Sequence, residues 1–133
     1  MRHIVIASHH RFAAGLKDTL SFIGGDLGIT DICAYVDDTP LDDQIAEVFA
    51  EFSPDDEVLV FTDMLQGSVN QAFSRYVGEH VFLVTGINVP CALELALSGG
   101  PLTAEAIREV IESARQQLVL VNDHLEDANE DDE

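Results

Sequence analysis

The chain has 133 residues, of which 47% are hydrophobic and 23% are charged, a composition that fits one globular domain. Six lysine and arginine residues stand against 25 aspartate and glutamate residues, so the formal net charge is −19. This charge excludes nucleic acid and anionic lipid as expected partners, and no apolar run is long enough for membrane insertion.

The two ends of the chain and its cysteines indicate where the protein works. The amino terminus lacks the basic and apolar leader of an exported protein, and Cys33 and Cys91 lack disulfide or metal-ligand spacing. We therefore expect a cytoplasmic protein with reduced thiols. Seven acidic residues fall within the last twelve positions, "NDHLEDANEDDE". The sequence predicts a folded domain over residues 1–122 and an acidic tail, disordered in solvent, over residues 123–133.

The first part of the chain is predicted to alternate strands with helices. The segment "HIVIAS" (3–8) is apolar almost throughout, as in a strand that is covered on both faces. Apolar residues at helical spacing predict a helix over 11–23, and "TDICAYV" (30–36) predicts the second strand. A threonine and a proline favour the start of a second helix, over 39–52.

The middle of the chain continues this alternation. The apolar segments "EVLVFT" (57–62) and "HVFLVT" (80–85) predict the third and fourth strands. Between them, Ser68 and Gln71 have the spacing of a capping box, which predicts a helix over 68–77.

The last part of the domain is predicted to contain two more helices. One covers 90–97, and the other begins after Thr103, which is expected to cap it. The apolar segment "LVLVN" (118–122) follows. It is either a fifth strand or a continuation of the last helix.

Strands that alternate with helices predict an α/β fold: a single three-layer domain whose mainly parallel sheet, of order 2-1-3-4, has helices on both faces. Ligands of such sheets bind at the carboxyl ends of the strands, where the strand order reverses. Here the reversal lies between the first and third strands. Their following loops are "SHHRF" (8–12) and "TDMLQGSVN" (62–70), so the histidines are expected to face Asp63.

A histidine and Asp63 in this arrangement can support transfer of phosphate. One ring nitrogen attacks phosphorus, while the other donates a hydrogen bond to the carboxylate, which fixes the tautomer and stabilises the imidazolium. Gly67 and Ser68 offer backbone N–H groups and a hydroxyl to phosphate oxygens. The remaining histidines are scattered over opposite ends of the predicted fold, so neither a metal site nor a cofactor is predicted.

Three segments carry a resemblance to a known family: "IVIASHHRFAAGL" (4–16), "VLVFTDMLQGSVNQAF" (58–73) and "VTGINVP" (84–90). In order and spacing they resemble the IIA component of the mannose/fructose/sorbose family of the bacterial sugar phosphotransferase system. The resemblance covers residues 1 to about 120. It implies a phosphotransferase that works through a phosphohistidine and needs no cofactor.

The resemblance also implies roles for individual residues. His9 would accept phosphate from the phosphocarrier protein HPr and pass it to a IIB component, which phosphorylates the sugar during uptake. Asp63 would polarise His9, and Ser68 would contact the phosphate. Ser8 and the backbone of Gly67 would lie beside them.

Two positions depart from the family pattern. His10 and Gln66 stand where the family usually has glycine, and both are expected at the rim of the site. We interpret His10 as a loop residue, because neighbouring residues of a strand point to opposite faces. The resemblance further implies a homodimer in which a C-terminal strand, here 118–122, crosses to the sheet of the partner. Any association with a membrane IIC and IID complex would be indirect.

Two other functions stay open on the sequence. A regulatory module would keep the phosphorylatable histidine but act on a kinase or regulator instead of a transporter. The glycine-rich segment of the dihydroxyacetone-kinase branch is matched only in part by "IGGDLGITD" (23–31). A receiver-like domain, phosphorylated on aspartate, would need an acidic pair after the first strand to hold magnesium, and "ASHH" contains none.

Overall fold

Four apolar segments form one parallel sheet in the computed structural model, which describes residues 1–125. Each neighbouring pair of strands is parallel, and the order is β2-β1-β3-β4, as predicted. The order reverses between β1 and β3, so the carboxyl ends of these two strands form the expected binding edge. The strands are β1 (Arg2–His9), β2 (Ile29–Ala34), β3 (Glu57–Thr62) and β4 (Val81–Thr85).

Helices cover both faces of this sheet. One apolar core joins α1, α4 and α5 to the first face, and a second core joins α2 and α3 to the other. The predicted three-layer α/β domain is therefore confirmed. The helices are α1 (Phe12–Gly24), α2 (Leu41–Ala50), α3 (Ser68–Phe73), α4 (Val89–Leu97) and α5 (Ala104–Arg115), and a 3-10 turn at Ser74–Tyr76 follows α3.

Side-chain alternation along β1 decides which face each functional residue reaches. Ile4 and Ile6 belong to the core under α1, whereas Val5 and Ala7 belong to the core under α3. Since the side chains of a strand alternate between its faces, Ser8 continues the first row and His9 continues the second. Neighbouring residues of the same strand therefore serve opposite sides of the sheet.

The start of α3 differs from the prediction. Ser68 is the first residue of the helix, not its cap, and the N-cap is Gly67, without a side-chain hydrogen bond. The predicted capping box is wrong because the hydroxyl of Ser68 bonds to Tyr35 instead. The helix also ends earlier than expected, at Phe73, where the 3-10 turn takes over.

The predicted fifth strand over residues 118–122 is not formed in the single chain. Helix α5 ends at Arg115, a turn follows, and residues 121–125 are helical. The backbone N–H groups of Gln117 and Leu118 donate to carbonyls of the last turn of α5, and these hydrogen bonds form a tight turn. A strand would instead need hydrogen bonds to a second strand beside it. An uninterrupted helix is equally wrong, because the turn breaks it. Residues 126–133, most of the predicted acidic tail, lie outside the described residues.

Candidate active site

His9 ends β1, and Asp63 directly follows the neighbouring strand β3. The ring atom Nδ1 of His9 lies 2.8 Å from Oδ2 of Asp63. The backbone N–H of His9 donates to the same oxygen at 3.0 Å. The His9 side chain is 31% exposed and that of Asp63 is 17% exposed. The carboxylate is thus shielded behind a ring that solutes can still reach.

The protonation state of this pair follows from its hydrogen bonds. Burial raises the pKa of Asp63, but the bonds from the ring and backbone N–H of His9 lower it by more, so the net shift is downward. The carboxyl group is therefore ionised at neutral pH and can only accept hydrogen bonds. It follows that Nδ1 carries the proton, and that Nε2 of the neutral ring keeps its lone pair. This is the arrangement of a nucleophilic histidine.

The loop between β3 and α3 comes so close to the His9 ring at Gly67 that this position has no room for a side chain. A Cβ atom on Gly67 would lie 2.8 Å from Cε1 of His9. Because Cε1 stands between the two ring nitrogens, Gly67 packs against the edge of the ring that leads from Nδ1 to Nε2. The glycine therefore lets the loop hold the ring in place while Nε2 stays open.

A buried hydrogen-bond network holds this loop. The hydroxyl of Thr62, at the end of β3, donates to Oδ1 of Asn70 in α3 at 2.9 Å. The amide of Asn70 donates to the carbonyl of Leu65 at 3.3 Å. Thr62 and Asn70 are both buried, so these bonds are shielded from competing water. They tie the loop that carries Asp63 and Gly67 to the strand before it and the helix after it.

Tyr35 is the residue of the site that the sequence prediction missed. It directly follows β2, and its ring centroid lies 5.8 Å from that of His9. Its phenol oxygen lies 2.5 Å from Oγ of Ser68, and both residues are exposed. The φ angle of Tyr35 is 68°, a conformation that costs a bulky residue of order 1–3 kcal/mol. The signal that could have found it is its position, one residue beyond a strand that borders β1.

Ser8 does not lie on the same side of the sheet as the His9 side chain. The residue is fully buried and lies on the α1 side of the sheet, as the alternation along β1 requires. Its hydroxyl accepts a hydrogen bond from the N–H of Ala13 at 2.7 Å and donates to the carbonyl of His10 at 3.0 Å. In this arrangement Ser8 secures the start of α1 and the loop that follows His9.

His10 and Gln66 are both exposed, His10 directly after His9 and Gln66 directly before Gly67. The φ angle of His10 is 51°, in the left-handed region that glycine adopts without cost. Its backbone N–H donates to the carbonyl of Ala34 at 2.9 Å, which joins the end of β1 to the end of β2. Glycine would adopt this turn without strain, and His10 adopts it with its side chain exposed.

Exposed apolar side chains lie on the segments that follow the strands of the site. They come from the start of α1, the segment after β2 and the loop after β3, and they are Phe12, Val36, Met64 and Leu65. We call this group the apolar rim. Large exposed apolar groups around a polar centre are typical of a surface that binds another protein.

Other features considered in the sequence analysis are not part of the His9–Asp63 pair. Nε2 of His3 lies 2.8 Å from Asp56, near the amino end of the sheet. Cys33 and Cys91 are free thiols. Over residues 1–125, no group of three or more histidine, cysteine, aspartate and glutamate side chains is placed to hold a metal ion. Within the same residues, no helix has the length and apolarity needed to cross a membrane.

A carboxylate-bound histidine at the switch point of a parallel sheet defines an α/β protein equipped for nucleophilic transfer. Sequence comparison identifies the family within this class. The sequence model of the phosphotransferase-system fructose IIA component family, EIIA-man, matches residues 3–115. The chain belongs to this family, and its role lies in the sugar phosphotransferase system, as the sequence resemblance predicted.

Solved structures agree with this assignment. A candidate permease of the phosphoenolpyruvate-dependent sugar phosphotransferase system from Klebsiella pneumoniae is 34% identical, with a TM-score of 0.87 over 93% of both chains. A IIA protein associated with the fucose utilisation operon of Streptococcus pneumoniae is 26% identical, with a TM-score of 0.78 over 93% of this chain and 96% of that chain. The mannose/sorbose-specific IIA subunit of Enterococcus faecalis, at 18% identity and a TM-score of 0.74 over 90% of this chain and 93% of that one, shares the fold.

Proposed function

We propose that the chain is a phosphocarrier in which His9 accepts the phosphoryl group of phospho-HPr and passes it to a IIB component. The observation that carries this proposal is the 2.8 Å contact between Nδ1 of His9 and Asp63, which leaves Nε2 as the nucleophile. Membership of the IIA family supports the same reaction and the same partners. The IIB component then phosphorylates the sugar during uptake, and the exchange takes place in the cytoplasm.

The transfer step balances without a cofactor. The lone pair of Nε2 on His9 attacks phosphorus, the bond from phosphorus to the donor histidine breaks, and its electron pair returns to the donor ring. The proton of His9 stays on Nδ1, so the phosphorylated ring is cationic. Asp63 accepts the hydrogen bond from Nδ1 and balances this charge where it develops. The phosphoryl group leaves in the same way when the acceptor of the IIB component attacks it.

The partners dock on the apolar rim. Its side chains belong to the segments at the carboxyl ends of β1, β2 and β3, where the His9 ring is exposed, so a partner that covers the rim also excludes water from the reacting atoms. The net charge of −19 favours partner surfaces that are basic around an apolar centre. HPr and the IIB component bind this rim in turn, because each must reach the same nitrogen atom.

The protein acts as a homodimer. Leu118, Leu120 and Val121 are exposed in the single chain, although they form one continuous apolar segment. Strand β4 pairs only with β3 among the described residues, so its other edge is open to a strand from a second copy. Segment 118–122 of one protomer is the strand that we assign to that edge of the other.

Radioactive phosphoenolpyruvate, enzyme I and HPr provide the test of the phosphocarrier role. A phosphohistidine is labile in acid and stable in base, so the label on this chain is expected to survive base. His9→Ala should remove the label, whereas the matched variant His10→Ala should keep it. A base-labile label, or a label that survives His9→Ala, would contradict the assignment. Transfer onward is then followed by adding a purified IIB component to the labelled protein.

A further inference from the structure

Tyr35 forms one wall of the site without belonging to the family motifs that identified it. Its ring stands at the end of β2, beside the ring of His9, and its hydroxyl meets Ser68 across the opening. Gly67, which packs against Cε1 of His9, directly precedes Ser68. The two hydroxyl groups therefore lie beside the His9 ring, whose Nδ1 is already bonded to Asp63, so Nε2 is the ring nitrogen that is left for a ligand.

The pair of hydroxyls has unused hydrogen-bonding capacity. A hydroxyl group has one donor and two acceptor positions, and in the contact between Tyr35 and Ser68 only one of the two groups donates to the other. A phosphoryl group on Nε2 would present three acceptor oxygens and no donor when fully ionised. Such a group satisfies both hydroxyls at once, because each can turn its O–H toward an oxygen.

The backbone next to Tyr35 is held in place by a hydrogen bond between the ends of β1 and β2. The carbonyl of the preceding residue, Ala34, accepts the N–H of His10, so the turn after β2 is fixed to the loop that follows His9. Tyr35 adopts a φ angle of 68° at this point, although its side chain makes that conformation unfavourable. Backbone strain of this kind persists where the surrounding structure holds it and is concentrated at functional sites.

From this geometry we propose that the Tyr35 hydroxyl is a phosphate ligand. It bonds Ser68 when His9 is free, and with Ser68 it donates to the phosphoryl group once His9 is phosphorylated. This inference rests on the proposed function, because it requires His9 to carry the phosphoryl group. Neutral hydroxyl donors suit a site whose protein carries a net charge of −19, since they offset repulsion of a phosphoryl dianion.

The consequence is a longer lifetime of the phosphohistidine. Hydrolysis of a phosphoryl group passes through a loose transition state, in which the bond to nitrogen is largely broken. Charge on the phosphoryl oxygens falls as that bond breaks, so hydrogen bonds to these oxygens stabilise the intact phosphohistidine more than the transition state. The ring of Tyr35 also covers one side of His9 against water. Both effects slow loss of phosphate to solvent.

The test uses Tyr35→Phe, which removes only the hydroxyl, and the matched control Tyr76→Phe at the chain's other tyrosine. Tyr76 lies in the 3-10 turn after α3 and stacks on Phe49, away from His9. Each protein is labelled by phosphoenolpyruvate, enzyme I and HPr and separated from them. Release of labelled phosphate is timed, and the ³¹P resonance of the phosphohistidine is recorded. Ser68→Ala and the double variant complete a double-mutant cycle.

Tyr35→Phe is expected to reach the same label per chain but to lose it about tenfold faster, the effect of one hydrogen bond to a charged group. Its ³¹P resonance should shift. In the double variant, the increase in the rate of phosphate release should be smaller than the product of the increases in the two single variants. Tyr76→Phe should match the wild type. Normal labelling with an unchanged lifetime and resonance in Tyr35→Phe overturns the phosphate-ligand role alone. Absence of acid-labile label in the wild type overturns the proposed function itself.

Discussion

A single carboxylate oxygen, Oδ2 of Asp63, receives both the ring N–H and the backbone N–H of His9. The negative charge on this oxygen does two things that an amide cannot do. It keeps the proton on Nδ1, and in the proposed transfer it would stabilise the cationic ring of phosphorylated His9. In Asp63→Asn the amide group can rotate and donate to Nδ1, which moves the ring proton to Nε2 and removes the nucleophile.

We therefore expect Asp63→Asn to keep its fold and to slow phosphoryl transfer from phospho-HPr greatly. An amide in place of the carboxylate of a catalytic triad lowers the rate by about 10⁴-fold for the same tautomeric reason. Rapid-quench measurement of labelled His9 gives the rate, and circular dichroism checks the fold. Asp31→Asn is the matched control, because Asp31 pairs with Lys17 at 3.3 Å and does not contact His9. A rate within a few-fold of the wild type would mean that Asp63 only supports the loop.

Between elements, the decisive feature is the close approach of the β3–α3 loop to the end of β1. Gly67→Ala would place a Cβ atom 2.8 Å from Cε1 of His9, so the ring or the loop must move. The Thr62–Asn70 network resists movement of the loop, and the ring is therefore the part that shifts. Misplacement of a reacting group by about 1 Å can lower a rate about 10²-fold.

Gly67→Ala should accordingly slow labelling of His9 by roughly that factor, with little change in the urea midpoint of unfolding. Gly78→Ala serves as the control, because a Cβ atom there meets open space. Equal labelling rates in the two variants would show that the loop, and not the ring, gives way. A large loss of stability in Gly67→Ala alone would point to the same conclusion.

The elements that bring these parts together could be predicted from the sequence, because their signals are local. Apolar runs covered on both faces marked all four strands, and alternation with helices predicted a parallel sheet, for which the observed order 2-1-3-4 is a common one. That order alone placed His9 opposite Asp63. The side of the sheet reached by Ser8 was also open to prediction, since it follows from alternation along β1, but the family resemblance led to the other expectation.

The features that were missed depend on contacts between distant segments. The predicted second strand ran to residue 36, so Tyr35 was placed inside a strand instead of at its end. Its contact with Ser68 joins residues 33 positions apart, and the same contact removed Ser68 from the predicted capping box. No local pattern carries this information. Segment 118–122 is a similar case under the proposed exchange, because as a strand it would need a neighbouring strand that the single chain does not provide.

At the scale of the whole molecule, the edge of the sheet at β4 is where a second chain would bind. Beside β4 runs a groove lined in part by Leu83, Thr85, Ile111 and Ala114. The hydroxyl of Thr85 is buried there and has no hydrogen-bond partner among the described residues. Segment 118–122 carries exposed apolar side chains, which could cover the apolar lining of this groove. In the proposed dimer, the segment of each chain would cover the groove of the other.

The full chain should therefore sediment as a dimer at micromolar concentration. A chain that ends at residue 117 should be monomeric, because it lacks the exchanged segment. The matched truncation after residue 125 removes acidic residues but keeps the segment, so it should remain dimeric. Val119→Asp and Val121→Asp test the same segment within the full chain. In a paired strand these residues share one face, and a charge buried there without a partner should raise the dimer dissociation constant on the order of a hundredfold.

Two results would contradict the exchanged strand. One is a full-length chain that is monomeric at micromolar concentration, and the other is a well-folded dimer formed by residues 1–117. The second result would place the dimer interface elsewhere, because residues 1–117 lack the segment that is proposed to fill the groove beside β4. The labelling rate of His9 separates assembly from chemistry. The site is built from β1, β2, β3 and α3 of one chain, so monomeric variants should still accept phosphate from HPr.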